Sequence, residues 1–271
     1  MKDLFANNNE DSSEVSIYLY KKLIELATPI RDVYLKNVER FENQLMYSDI
    51  NSECYIKMYS SVSPDETIPS LRDLEDQISG LSDLNKAAYK YFNRKRNNSV
   101  KGLDVQLGNQ FDECFINFLN SQGINAMRAD TKNKRLPDIM ILDKTRNIKA
   151  YIEHKYHNAP FMLSWKLIGR ESYEGSITMD LKKIHNQINE CESEIPGRPV
   201  FFVHWVDFHH LKGIFFNTLE QIKDYIGNGS EFQRKARKGD YSLTKKIGYT
   251  EKFYPPLHEM GDFRELISFL K

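Results

Sequence analysis

The chain has 271 residues, 38 basic and 38 acidic side chains, no net charge and 40% apolar residues. That apolar share can bury a sizeable interior without disulfide or metal staples, and the balanced charge excludes a globally basic, polyanion-coating protein. Cys54, Cys114 and Cys191 lie far apart with no CxxC pair, which argues against a disulfide framework or cysteine zinc site and suits a reducing compartment.

The opening MKDLFANNNEDSSE carries acids and asparagines where a signal peptide needs an apolar run. No stretch approaches the ~20 apolar residues of a membrane span, so a cytoplasmic protein without membrane contact is expected. Ser12 and Ser13 are expected to cap a helix carrying Ile17, Leu19, Leu23 and Leu26, broken near Pro29. A second helix should run through Ile30, Val33, Tyr34, Val38, Phe41 and Leu45, and another helical region from Leu71 into Tyr91. Residues 1–100 thus read as a helical N-terminal region and 101–271 as a second domain.

From about Gly102 helices alternate with strands. LGNQFDECFINFLNSQGI reads as a helix ended by Gly123, with Phe111, Cys114, Phe115, Phe118 and Leu119 on its buried face. Asp112 falls at the edge of that face and Glu113 points away. Next comes RLPDIMILDKTRNIKAYIEHKYH, in which Ile139 to Leu142 is a short apolar strand and Asp143 to Asn147 a polar turn. In the strand that follows, alternation puts Ile148, Ala150 and Ile152 on one face and Tyr151, Glu153 and Lys155 on the other. If the two strands pair in matching register, Asp138 reaches the patch of Glu153 and Lys155. Two carboxylates so close repel unless a cation sits between them, and hard oxygen donors suit magnesium.

The segment HNAPFMLSWKLIGRESYEG is aromatic and polar, and is expected either to border a cleft or to form a buried loop packed through Phe161 and Trp165. A helix follows with Ile177, Leu181, Ile184, Ile188 and Cys191 on one side, and Lys182, His185 and Gln187 beside that stripe. RPVFFVHWVDF is a near-continuous apolar run, as in a strand covered on both faces, which implies a sheet with helices above and below. GIFF, a helix from Leu219 to Ile226, and a last helix from Phe263 to Leu270 complete the chain. Three stretches are locally basic, YFNRKRNN, TKNKR and QRKARKGDYSLTKK, and read either as sites where phosphate backbones settle or as solvated loops. His204, His209 and His210 have no zinc-helix spacing and read as core or strand-end histidines. GRESYEG and GNGS lack the spacing of a phosphate-cradling loop, so no nucleotide cofactor is expected.

PD followed by EHK, after a helix with an acid near its start, resembles the PD-(D/E)xK nuclease superfamily, the fold of many restriction endonucleases, over residues 102–216. The resemblance implies an α/β fold, a central mixed β-sheet flanked by helices; the helical N-terminal region lies outside it and is expected to serve as a dimerisation unit, a DNA-contacting arm or a packing layer. The resemblance also implies Asp138 and Glu153 as Mg2+ ligands, the carbonyl of His154 as a further ligand and Lys155 as the catalytic lysine. Asp112 stands where many members carry Glu, which makes it a candidate fourth catalytic residue. The activity implied is Mg2+-dependent cleavage of double-stranded DNA, first as a type II restriction endonuclease and homodimer, with a structure-specific nuclease or an inactive DNA-binding relative as alternatives. Candidate DNA contacts are His157, Lys166, Arg170, Lys182, Gln187, Arg234, Lys235, Arg237 and Lys238.

Overall fold

A computed structural model describes residues 9–37, 41–63, 66, 68–92, 103–129, 136–158, 160, 175–227, 233–234 and 252–271. Six strands form one mixed sheet, ordered β1 (Asn125–Arg128), β2 (Ile139–Leu142), β3 (Ile148–His157), β5 (Val200–Asp207), β6 (Lys212–Thr218) and β9 (Gly261–Asp262). β3 and β5 run parallel, and the other neighbours are antiparallel. β4 (Met179–Asp180), β7 (Gln233–Arg234) and β8 (Lys252–Phe253) make a separate three-stranded sheet in the order β4, β8, β7.

Helices cover both faces of the main sheet. On one face lie α1 (Asn9–Leu26), α2 (Thr28–Asn37), α6 (Leu103–Ser121) and α9 (Phe263–Leu270). There Leu19, Tyr20, Leu23, Phe115 and Phe263 pack with Ile139, Ala150, Ile152, Val203 and Trp205. On the other lie α3 (Asp49–Tyr55) with its π-helical continuation Ile56–Ser60, α4 (Leu71–Glu75), α7 (Leu181–Glu194) and α8 (Leu219–Gly227). There Tyr55, Met58, Leu71, Ile184 and Ile222 pack with Tyr151, Phe202 and Phe215. β5 is buried at all eight positions, as its near-continuous apolar sequence suggests for a central strand covered on both faces. The architecture is therefore the α/β, helix-flanked mixed sheet expected from the sequence. The N-terminal helices do not pack only on one another, because α1 and α3 sit on opposite faces of the same sheet.

Several boundaries differ from expectation. α1 begins at Asn9, so Ser12 and Ser13 lie inside it, and Ser13 Oγ hydrogen-bonds Ser60 Oγ. Pro29 does separate two helices, as the second residue of α2, where its missing N–H costs no intrahelical bond. α2 closes at Asn37, and the expected continuation to Leu45 is replaced by a turn in which Leu45 has φ 54°. Gly80, at φ 80°, divides the region from Leu71 into α4 and α5 (Leu81–Phe92). Ile177 precedes α7 instead of riding on it, and Asp180 caps that helix by accepting the Lys183 N–H at 3.0 Å. Among the described residues no helix is long and apolar enough to cross a membrane.

Candidate active site

The β2–β3 hairpin is set by its turn. Asp143 Oδ1 accepts the N–H groups of Thr145 at 2.8 Å and Asn147 at 2.9 Å, while Arg146 adopts φ 66° to close the loop. Ile139 pairs with Ile152 and Met140 with Tyr151, so continuing the ladder sets Asp138 opposite Glu153. The register slips between Ile141 and Leu142, which face Ala150 and Ile148, leaving Lys149 as an extra residue. That bulge turns Ile148 to the face of Tyr151, correcting the sequence expectation that it joins Ala150 and Ile152. Beyond the bulge strict alternation holds.

The carboxyls of Asp138 and Glu153 stand close enough to repel each other when both are charged. Burial first, then the charges of Glu153 and Asp112, push the Asp138 carboxyl up to about 7, against a smaller opposite pull from Lys183. Glu153 is buried and accepts a 2.9 Å ion pair from Lys183 Nζ, in the first turn of α7. Lys155, two residues beyond Glu153, is reached by solvent though protein crowds it on most sides. That crowding, with Lys183 and Lys252, lowers its affinity for a proton, while Glu153 and Asp180 oppose the shift. Lys183 is shifted upward on balance: burial works against its charge, but Glu153, Asp138 and Asp180 together outweigh it. Lys252 in turn holds Asp180 at 2.7 Å, which ties the small sheet to the start of α7.

Asp112 reaches the site from α6, on the opposite side of the hairpin. It is buried, with Oδ1 2.9 Å from His154 Nδ1 and Oδ2 3.3 Å from Arg128 Nη1. Glu113 points outward as expected and takes the other part of Arg128, at 2.8 Å from Nε. His154 is turned away from Glu153, its ring stacked on Phe115 at 4.7 Å, so at the carboxylate pair only its backbone is available. A cleft of about 410 Å³ opens beside this point, lined by Gly108, Asp112, His154, Lys155 and Asn158 among others.

Of the expected nucleic-acid contacts, His157 does share the face of Lys155, but it is buried and its Nε2 lies 3.2 Å from His204 Nδ1. That burial corrects its assignment as a phosphate contact. Gln187 is also buried, facing the sheet, and its Oε1 finds no partner among the described residues. Lys182 is exposed. Arg234 lies in β7, paired with Lys252, and Lys166, Arg170, Lys235, Arg237 and Lys238 lie outside the described residues. His204, His209 and His210 are buried, as expected of core histidines. The residue the sequence reading missed is Lys183. Its signal was its position one helical turn before Gln187, but only the docking of α7 on the sheet shows that this flank meets Glu153.

No protein-family model and no curated protein sequence matches the chain. Similar solved structures include the Holliday junction resolvase Hjc of Archaeoglobus fulgidus, at 11% identity and TM-score 0.34, covering 59% of this chain and 95% of that one. They also include D212, a nuclease from a fusselovirus, at 13% identity and TM-score 0.35, covering 65% of this chain and 95% of that one. Likeness this distant says nothing of what the chain acts on.

Proposed function

We propose that the chain is a Mg2+-dependent DNA endonuclease whose centre is Asp138, Glu153 and Lys155. The observation that carries this reading is the placement of Asp138 opposite Glu153 on adjacent strands, with Lys155 on the same strand face as Glu153. Among the described residues no three His, Cys, Asp or Glu side chains gather closely enough to hold a metal ion by themselves. Magnesium does not require such a cage: it is commonly held by one or two carboxylates, with water and substrate phosphate completing its shell. Asp138 and Glu153 fit that demand, since at Asp138 burial and the charges of Glu153 and Asp112 outweigh the opposite pull of Lys183. The His154 carbonyl, next along β3, is the further ligand in this reading.

A bound divalent cation would supply Lewis acidity and charge neutralisation at a phosphodiester. The chain's own groups do the rest. Asp138 and Glu153 fix the cation's place because β2 and β3 are hydrogen-bonded neighbours. Lys155, with its proton affinity lowered, can exchange a proton with attacking water more readily than an ordinary lysine, or hold charge on the phosphorane. Asp112, clamped by Arg128 and His154, adds negative potential at Asp138 and anchors β3 against α6.

The finer assignment, a type II restriction enzyme cutting a specific duplex sequence as a homodimer, follows the sequence resemblance. Purified protein incubated with supercoiled plasmid, in Mg2+ or in EDTA, tests both levels. Discrete bands formed only with Mg2+ are expected, whereas a smear or junction-only cutting replaces the restriction reading by a structure-specific one. Intact plasmid and intact branched DNA in Mg2+ and in Mn2+ alike would overturn the nuclease reading.

A further inference from the structure

Glu153 already has a cation beside it, and that cation belongs to the protein. Lys183 places Nζ 2.9 Å from Glu153 Oε1, although it sits at the third position of α7. A helix N-terminus favours acids, so the helix does not account for a lysine there, whereas Glu153 does. The root of Lys183 is fixed, its N–H bonded to Asp180, while its side chain is 59% exposed against 10% for Glu153. It is an arm with a held base and a free end. Around it stand Asp138, Glu153 and Asp180 against Lys155, Lys183 and Lys252, three charges of each sign when all are ionised.

We infer that Lys183 is an exchangeable counter-ion of the carboxyl pair, holding Glu153 until a divalent cation enters and then turning to a phosphate of the nucleic acid. The inference rests on the reading of Asp138 and Glu153 as a metal centre. Its logic is electrostatic. The balanced cluster becomes doubly positive when a divalent cation is added, which favours phosphodiesters over free solvent, and the displaced ammonium is the group already positioned to meet one. Lys183 is thus a positioning residue that weakens cation binding in the free protein and links it to substrate binding.

Calorimetric titration of the full chain with MnCl2, without nucleic acid, tests this in wild type, Lys183→Met and Lys183→Arg. Lys183→Met should bind Mn2+ about fivefold or more tightly, the scale of one partly exposed ion pair, and Lys183→Arg should keep wild-type affinity. In Ca2+, Lys183→Met should also bind a DNA duplex more weakly than wild type. Equal or weaker Mn2+ binding by Lys183→Met, or unchanged duplex binding, overturns the inference. Lys183→Gln serves as the second variant if thermal melting shows that the methionine perturbs the fold. Mn2+ binding by none of the three proteins overturns the metal centre itself, whereas Mn2+ binding without DNA cleavage overturns only the nuclease reading.

Discussion

Asp138 concentrates the site's electrostatics in one side chain. Its carboxyl is raised from 3.8 to about 7 in the folded chain, by burial and by Glu153. A group raised on folding stabilises the protein fully below its unfolded value and loses that contribution as pH rises through the folded one. In EDTA, the unfolding free energy of wild type should therefore fall between about pH 4 and pH 7 relative to that of Asp138→Asn, as urea titrations at several pH values would show. A constant difference across that window would mean that folding does not raise the Asp138 carboxyl. Asp138, Glu153 and Lys155 were legible in the sequence because strand alternation and one hairpin bring them together, and both are local properties. Lys183 was not, since it meets Glu153 only through the docking of α7, and no spacing along the chain encodes that. His157 failed for the related reason that alternation gives a face, not the depth at which β5 covers it.

Among the elements, β5 and β6 carry a second charged pair, fully buried. Asp207 and Lys212 are both 0% exposed and form a short ion pair across the β5–β6 hairpin. Asp207 also accepts the Tyr156 hydroxyl at 2.6 Å and the Leu45 N–H at 2.8 Å, and Lys212 donates to the Asn43 carbonyl at 3.0 Å. The pair therefore fastens the turn at 41–45 to the central strands. Removing one partner strands the other charge away from water, so Asp207→Ala should destabilise by about 3–5 kcal/mol. Lys212→Met added to it should recover part of that loss, measurable as a non-additive double-mutant cycle in urea denaturation. An additive or negligible effect would show that water reaches the pair. The sequence showed β5 as a buried strand through its apolar run, yet gave no sign of this network, because a buried aspartate and an exposed one are spelled alike. Helix positions were readable and helix ends less so: Asn9 starts α1 without an obvious capping pattern, whereas Gly123, at φ 79°, ends α6 as expected.

At the scale of the molecule, the sheet is a platform whose two coverings do different work. α6 and α1 bury one face and bring Asp112 to the back of β3, while α7 covers the other and brings Lys183 to Glu153. Leu23 of α1 is 0% exposed within the same cluster as Ile152 and Trp205, so Leu23→Ala should cost about 2–5 kcal/mol and act on the whole cooperative unit. Coincident loss of helical and sheet signals on heating would show that unity, and a separate early transition would mark the N-terminal helices as an independent domain. The sequence pattern reads as helices in the first third and as alternating helices and strands after it, and the elements follow that order. It could not show that the first third is divided between two faces, because amphipathic stripes do not name the surface they meet. The account's central claim is that Asp138, Glu153 and Lys155 form one metal-dependent phosphodiester-cleaving centre. The most direct measurement is the rate of plasmid cleavage in Mg2+ by wild type, Asp138→Ala and Lys155→Ala, with DNA binding followed in parallel. The account predicts loss of cleavage by at least about 100-fold in each variant with duplex binding largely kept, and equal cleavage by all three proteins would contradict it.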